Sequence, residues 1–475
     1  HLLSIHAIES EIFIPDARYA MLSAVCKAGI NLTNSKRAQI SDKIDGVLLN
    51  RVLGLPIFFA IMYLVFSFTF ECADPLMGYV EEFFEILSGA ISNSWGEDSM
   101  PVLRSLIIDG VIGGVGGVVV FLPQIVLLFL ALSILESSGY MARAAFLMDS
   151  VMRAFGLQGK SFVPLIVGFG CTVPAIMATR TIESETDRKT TIMVLPFMSC
   201  AARMPIYALI IPAFFALKYQ AFVMWIIYVI GIAVALIAAK VLKSTVFKGS
   251  NEIYLMELPP YRIPTLRNIF INMWEKASQY LKKAGTIILA ISIILFICNT
   301  YPEKTDMSKD YDALISAVEE NTALSDEARE EAVLDLENEQ VNEAFEYSIS
   351  GRVGKFIEPV FAPLGFDWKI STATIAALAA KEVFVAQMGI LYSLGDEEDE
   401  ESTPLREQLK DNYSTLQAFC IMLFALLSIP CVATLAIIKK ELGSWKYVVY
   451  ESVGLFSIAW IITFIVYQLG SLFGL

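Results

Sequence analysis

Two stretches of the chain set a cysteine beside prolines inside an otherwise apolar segment: Pro196-Phe-Met-Ser-Cys200-Ala-Ala-Arg-Met-Pro205 and Ser428-Ile-Pro430-Cys431-Val-Ala-Thr434. Proline removes a backbone donor and breaks a helix, so each stretch frees carbonyl oxygens next to a sulfur. Such a set can bind a cation, and soft sulfur favours late first-row metals over Mg²⁺ or Ca²⁺. Cys171, in Gly170-Cys171-Thr-Val-Pro174, shares the context. Ser199, Thr434 and Asp109 are candidate auxiliary ligands, and Met177 is another for which apolar packing is the better account. A site that must release its ion suits a few thiols and carbonyls better than a closed cage, and binding would displace thiol protons. The plainer alternative is that a membrane thiol is a small hydrophobe, which is how Cys298 and Cys420 read.

Three charges lie in apolar surroundings: Arg203 within residues 190–217, and Lys381 with Glu382 within 370–394. At membrane depth a charge costs several kcal/mol unless paired or hydrated, which marks these as functional candidates setting the local field or gating. Arg203 with Glu382 is the candidate ion pair; its alternative role is to lock two parts of the molecule together. The only histidines are His1 and His6, so a metal site in the membrane must use thiolate, thioether, carboxylate or carbonyl ligands. Seven cysteines without close pairs form neither a disulfide framework nor a zinc knuckle.

The elements that hold these residues follow from composition. With 56% hydrophobic and 18% charged residues and a mean hydropathy of +0.61, the chain breaks the norms of soluble proteins. Uncharged runs at 52–70, 111–135, 221–239, 284–302, 412–438 and 452–475 can each cross about 30 Å of hydrocarbon as helices. The net charge of −14 is concentrated: Glu303 to Glu346 holds 15 acidic and 3 basic residues, and Asp396 to Glu401 adds six acids. These read as solvated outer loops, 303–348 and 395–412, with a cation-attracting vestibule as a minor alternative.

The two halves repeat. Asp149, Val151, Gly156 and Lys160 recur as Glu358, Val360, Gly365 and Lys369, each 209 positions on, and Cys200 recurs as Cys431. The segment Lys240 to Lys283 carries eight basic and three acidic residues, which places it in the cytoplasm. Residues 161–179, with Pro164, Gly168, Gly170 and Pro174, then enter and leave from the inside as a re-entrant hairpin; 370–394 does so from the outside. The expected fold is all-α and polytopic: two inverted-topology repeats with re-entrant or broken helices, about seven spanning helices and two hairpins, with the site where the broken segments meet. Its parts are a cytoplasmic lead-in (1–50), a first membrane helix with an outer loop and Gly-rich segment (51–117), repeat 1 (118–243), a cytoplasmic connector (244–283) and repeat 2 (284–475). Nine straight spans without hairpins is the alternative topology.

Two motifs carry no nucleotide chemistry. Gly110, Gly113, Gly114, Gly116 and Gly117 form a small-residue face for helix packing. Gly156-Leu-Gln-Gly159-Lys160-Ser161 ends like a phosphate loop, but position 154 is alanine and no strand precedes it.

The chain resembles the ferrous-iron transport protein B (FeoB) family over nearly its whole length. The resemblance runs through Ser41-Asp-Lys-Ile-Asp45, Asp109-Gly-Val-Ile-Gly-Gly-Val-Gly-Gly117, Phe121-Leu-Pro-Gln-Ile125, Ser138-Gly-Tyr-Met-Ala-Arg143, Gly168-Phe-Gly-Cys171 on to Arg180, the two Cys-Pro stretches and Ala380-Lys-Glu-Val383. It implies two gate regions, Fe²⁺ as transported ion, a multi-pass location in a bacterial inner membrane with a cytoplasmic N-terminus, and a path lined by Cys171, Cys200 and Cys431. Family members normally carry an N-terminal GTPase domain. Residues 1–50 resemble the tail that follows it, so GTP control would come from a GTPase domain in cis or in trans, outside this sequence. The implied partners are that domain, small cytoplasmic Feo accessory proteins, the lipid bilayer and further copies of the chain; nucleic acid is not among them. The reading is a transporter or gated channel rather than an enzyme. Alternatives are a carrier of another divalent metal such as Mn²⁺, a nucleoside-permease-like transporter, and a non-transporting membrane scaffold or receptor.

Overall fold

The computed structural model describes residues 36–94 except 51–52, 106–113, 119–248, 260–280 except 263, 286–319 except 303, 305 and 306, 326–392 and 402–474, with a few isolated positions besides. Among the described residues there is no strand. A lead-in helix α1 (Lys36–Leu48) precedes α2 (Gly54–Ser94). A π-helical turn, Leu106–Gly113, follows, and then α3 (Leu122–Ser138), which starts with Pro123 where a missing amide costs nothing. Gly139, at φ 88°, ends α3 and starts α4 (Tyr140–Ala154), which leaves at 82° to it.

Next come the short helices α5 (Phe162–Val167) and α6 (Thr172–Ala178), then α7 (Glu185–Val194), capped by Ser184, and α8 (Met204–Phe214). They are followed by α9 (Leu217–Thr245), α10 (Leu266–Tyr280) and α11 (Thr286–Thr300). The second half holds α12 (Tyr311–Glu319), α13 (Asp326–Tyr347), α14 (Ile349–Phe361), α15 (Trp368–Ala376) and α16 (Val383–Leu391). It closes with α17 (Thr403–Asn412), α18 (Thr415–Leu427), α19 (Val432–Leu442) and α20 (Trp445–Leu472).

Among the described residues five helical stretches are long and apolar enough to cross a bilayer: Gly54–Ser92, Glu185–Phe214, Leu217–Thr245, Thr415–Leu442 and Trp445–Leu472. The bent pair α3 and α4 and the shorter apolar helix Leu289–Thr300 add to these. The chain is an all-α polytopic membrane protein.

The duplication is visible in the backbone. Helix α4 begins at Tyr140 and α14 at Ile349, 209 positions apart, and each is followed by a left-handed glycine, Gly156 at φ 82° and Gly365 at φ 80°. The left-handed conformation is free of a Cβ penalty only for glycine. Both expected hairpins exist, α5 with α6 and α15 with α16, and both apolar segments are interrupted, at 195–203 between α7 and α8 and at 428–431 between α18 and α19. The halves then interlock: α6 of the first hairpin packs on α19 of repeat 2, and α16 of the second packs on α8 of repeat 1.

Two expectations need correction. The acidic stretches are not open loops, since α12 and α13 lie in the first and α17 at the end of the second, while 393–401 lies outside the described residues. Glu, Ala and Leu, which dominate α13, are good helix formers, and Glu343 ties the first stretch together by accepting from Lys304 Nζ (2.5 Å), Ser308 N and Oγ (2.8 and 2.7 Å) and Tyr311 Oη (2.7 Å). Those donors, Lys304 foremost, hold its carboxyl down at about 2. The first membrane helix is also longer than the uncharged run 52–70: α2 runs through Pro75 for 41 residues, or roughly 60 Å, about twice the hydrocarbon thickness.

Candidate functional site

Each hairpin tip is tied to the break of its own repeat by one backbone bond. Ala201 N donates to Gly170 O and Val432 N donates to Leu378 O, both at 3.0 Å. In each case the donor is the residue after the cysteine, so the bond fixes Cys200 and Cys431 against the tips. A cavity of about 100 Å³ opens there, lined by Cys171, Cys200, Cys431, Glu382 and Thr434, with Phe66 and Thr69 of α2 and Gln124 of α3 also in its wall. A water needs only about 10–15 Å³ of such space, so the cavity admits a partly hydrated ion.

Five of the residues singled out in the sequence therefore share one chamber. Cys171 precedes α6 in extended backbone, φ −154° and ψ 129°, which puts its sulfur at the bend of the hairpin. The Cys431 sulfur lies 3.2 Å from Thr434 Oγ1. Glu382 is half-buried and its Oε2 has no hydrogen-bond partner, an arrangement that favours a cation as neighbour. Among the described residues no three His, Cys, Asp or Glu side chains gather closely enough to hold a metal ion together. The donors line a chamber rather than form a preformed cage.

Arg203 and Glu382 do not pair. Arg203, 1% exposed, donates to Met198 O (2.8 Å) and Pro196 O (3.0 Å). The break frees these carbonyls within reach of its guanidinium, and they take the place the carboxylate was expected to fill. Lys381, 3% exposed, donates instead to Ser428 Oγ at 3.1 Å. Ser199 Oγ lies 3.4 Å from the Tyr207 hydroxyl. Asp109 lies in the π-helical turn, and its side chain is outside the described residues.

Met177 faces a different chamber of about 520 Å³ between α3, α4, the first hairpin and α10, lined also by Glu136, Lys160, Arg180 and Glu275. Helix α6 is the wall between the two: Thr172 and Val173 line the thiol cavity, and Pro174, Met177 and Ala178 the larger one. On that side Glu441, at the end of α19, accepts from both Arg180 and Arg188 and so clasps repeat 2 to repeat 1. Lys243 of α9 pairs with Asp187 of α7. Arg143, 2% exposed, binds Asp45 of α1 through two bonds of 3.0 Å and lies 4.2 Å from the Tyr261 ring centre.

Sequence reasoning missed Ser428 as a partner, the wall formed by Thr69 and Gln124, and Glu451. Glu451 is 4% exposed with Oε1 unpartnered in α20. Its signal was helical register, since Val448, Leu455 and Ala459 on the same face are buried too.

Comparison with known proteins bears on the whole arrangement. The family model for the gate, described as nucleoside recognition, matches residues 118–214 and 281–445, and that for the ferrous iron transport protein B C terminus matches 224–276. The chain is 41% identical over 479 residues to an Fe(2+) transport protein A/Fe(2+) transporter FeoB fusion protein of Porphyromonas gingivalis, covering 98% of this chain and 56% of that one. It is 39% identical to the Fe(2+) transporter FeoB of Helicobacter pylori strain J99, covering 93% and 69%, and 39% identical to that of Campylobacter jejuni, covering 91% and 66%. The chain thus spans between 56% and 69% of the length of these relatives. No solved structure matches it. On the family models and these identities, the chain belongs to the FeoB family and comprises its membrane-embedded gate.

Proposed function

We propose that this chain forms the ion path of a ferrous iron uptake system, with Fe²⁺ crossing the thiol cavity between the hairpin tips. The observation that carries the reading is the meeting of Cys171, Cys200 and Cys431, from three separate segments, with Glu382 in one chamber. Sulfur and one carboxylate suit a late first-row divalent ion better than Mg²⁺ or Ca²⁺. The free oxygen of Glu382 offsets part of the ion's charge, and each thiol that ligates gives up its proton. Donors spread round a chamber let the ion go again. The relatives' names support Fe²⁺ as the cargo.

Control by GTP is assigned to a GTPase domain outside this sequence, in cis or in trans. The fusion partner named in the Porphyromonas gingivalis relative supports a small FeoA-type accessory protein as a partner. The setting is the bacterial inner membrane, with the N-terminus and Lys240 to Lys283 in the cytoplasm and the two repeats inverted.

The test is radioactive iron uptake in cells whose only high-affinity route is the full protein. Cys200→Ser and Cys431→Ser should each lower uptake by roughly tenfold or more, with excess Mn²⁺ competing poorly. Unchanged uptake in both variants would remove the thiols from the path.

A further inference from the structure

Each repeat sets one buried cation at the end of the half-helix that leads into its break, and the two cations come from different places in the chain. In repeat 1 it is Arg203, within the break itself, bonded to Pro196 O and Met198 O. The matching position in repeat 2 is Thr434, 231 residues on, which lies instead against Cys431 Sγ. There the cation arrives from the hairpin: Lys381 reaches Ser428 Oγ, just past the end of α18. The position matching Lys381 in repeat 1, 209 residues earlier, is Thr172. Two unrelated routes thus bring a positive charge to equivalent ends.

A helix C-terminus leaves its last carbonyls without helical donors and carries partial negative charge. Broken helices in transporters use such ends to seat small hard cations. We propose that Arg203 and Lys381 are resident cations at the two half-helix ends, so that Pro196 O and Met198 O at one end and Ser428 Oγ at the other are withheld from alkali ions and a passing ion meets the thiols and Glu382 instead. The two residues are in this sense determinants of ion selectivity, a role that rests on the cavity being the ion path.

The inference is testable on the purified full protein without iron, which separates it from the identity of the cargo. Lys381→Met and Lys381→Gln empty one end. Each should melt about 2 °C higher in sodium or potassium chloride than in N-methylglucamine chloride, as expected when an ion binds only the folded state. Wild type and Lys381→Arg should show no difference between the salts. Arg203→Gln reads the same property at the other repeat, should the Lys381 variants not fold. Folded neutral variants that melt alike in all three salts would overturn the proposal, as would an equal alkali-ion shift in wild type. A merely structural role for these cations would lower stability without producing salt-ion dependence.

Discussion

Lys381 Nζ donates to Ser428 Oγ across 3.1 Å in a buried setting, joining the tip of the second hairpin to the break between α18 and α19. The bond spans 47 residues of sequence and bridges the two irregular segments of one repeat. Removing the hydroxyl takes away a partner of a buried ammonium, which costs about 1–3 kcal/mol. Ser428→Ala should therefore lower the melting temperature in detergent, and Ser428→Thr, which keeps the hydroxyl, should restore most of it.

Asp45 and Arg143 are the corresponding link between the lead-in helix and α4. Arg143 is 2% exposed and Asp45 18% exposed as side chains, so breaking the pair leaves a buried guanidinium without its counter-charge, at a cost of about 3 kcal/mol. Asp45→Asn should release α1 first. Hydrogen exchange would show faster labelling of Lys36–Leu48 while the helices around the cavity keep their protection.

Glu441 answers two arginines at once while its own side chain is 5% exposed. Glu441→Gln should loosen α19 from α6 and raise the rate at which Cys171 and Cys431 react with a thiol reagent added from that side. Arg180→Gln, which removes the more exposed of the two partners, should produce the smaller change.

Gly156 and Gly365 separate backbone strain from crowding. Both are left-handed, but a Cβ on Gly156 would meet Lys243 Cβ at 3.5 Å, an ordinary contact, whereas on Gly365 it would run into the Tyr467 ring. Gly156→Ala should cost about 1–2 kcal/mol for the conformation alone. Gly365→Ala should cost more, and Tyr467→Ala should recover part of the loss, as thermal unfolding of the three variants would report.

The first acidic segment should lose stability as the pH is lowered. Glu343 has its carboxyl lowered to about 2 by Lys304, Ser308 and Tyr311. A carboxyl depressed in the folded state stabilises above its unfolded pKa and loses that contribution as pH falls through the folded value. The hydrogen-exchange protection that α12 and α13 draw from Glu343 should therefore begin to fall below about pH 5 and be gone near pH 2, while Glu343→Gln should show the lower protection already at neutral pH.

What the sequence disclosed and what it hid divide along physical lines. The duplication, the hairpins and the breaks were legible because Gly, Pro and Cys at fixed offsets reflect backbone constraints, and positive φ at both Gly156 and Gly365 is the same constraint in coordinates. The partner of Arg203 was not, because backbone carbonyls leave no trace in residue type. Nor were Asp45 with Arg143 or Arg180 with Glu441, whose members lie 98 and 261 positions apart. Helicity within the acidic stretches was masked by their charge, which reports solvent contact and says little about conformation.

The crosswise packing of α6 on α19 has a consequence for how the molecule is made. When the ribosome finishes Ala178, the surface that will cover α6 is still about 250 residues from being synthesised. At about 5–20 residues per second that is a wait of roughly 13–50 s. Throughout it the first hairpin, with Cys171 at its bend, stands in the membrane without its final neighbour. Repeat 1 is therefore born incomplete, and its thiols await the arrival of its counterpart repeat.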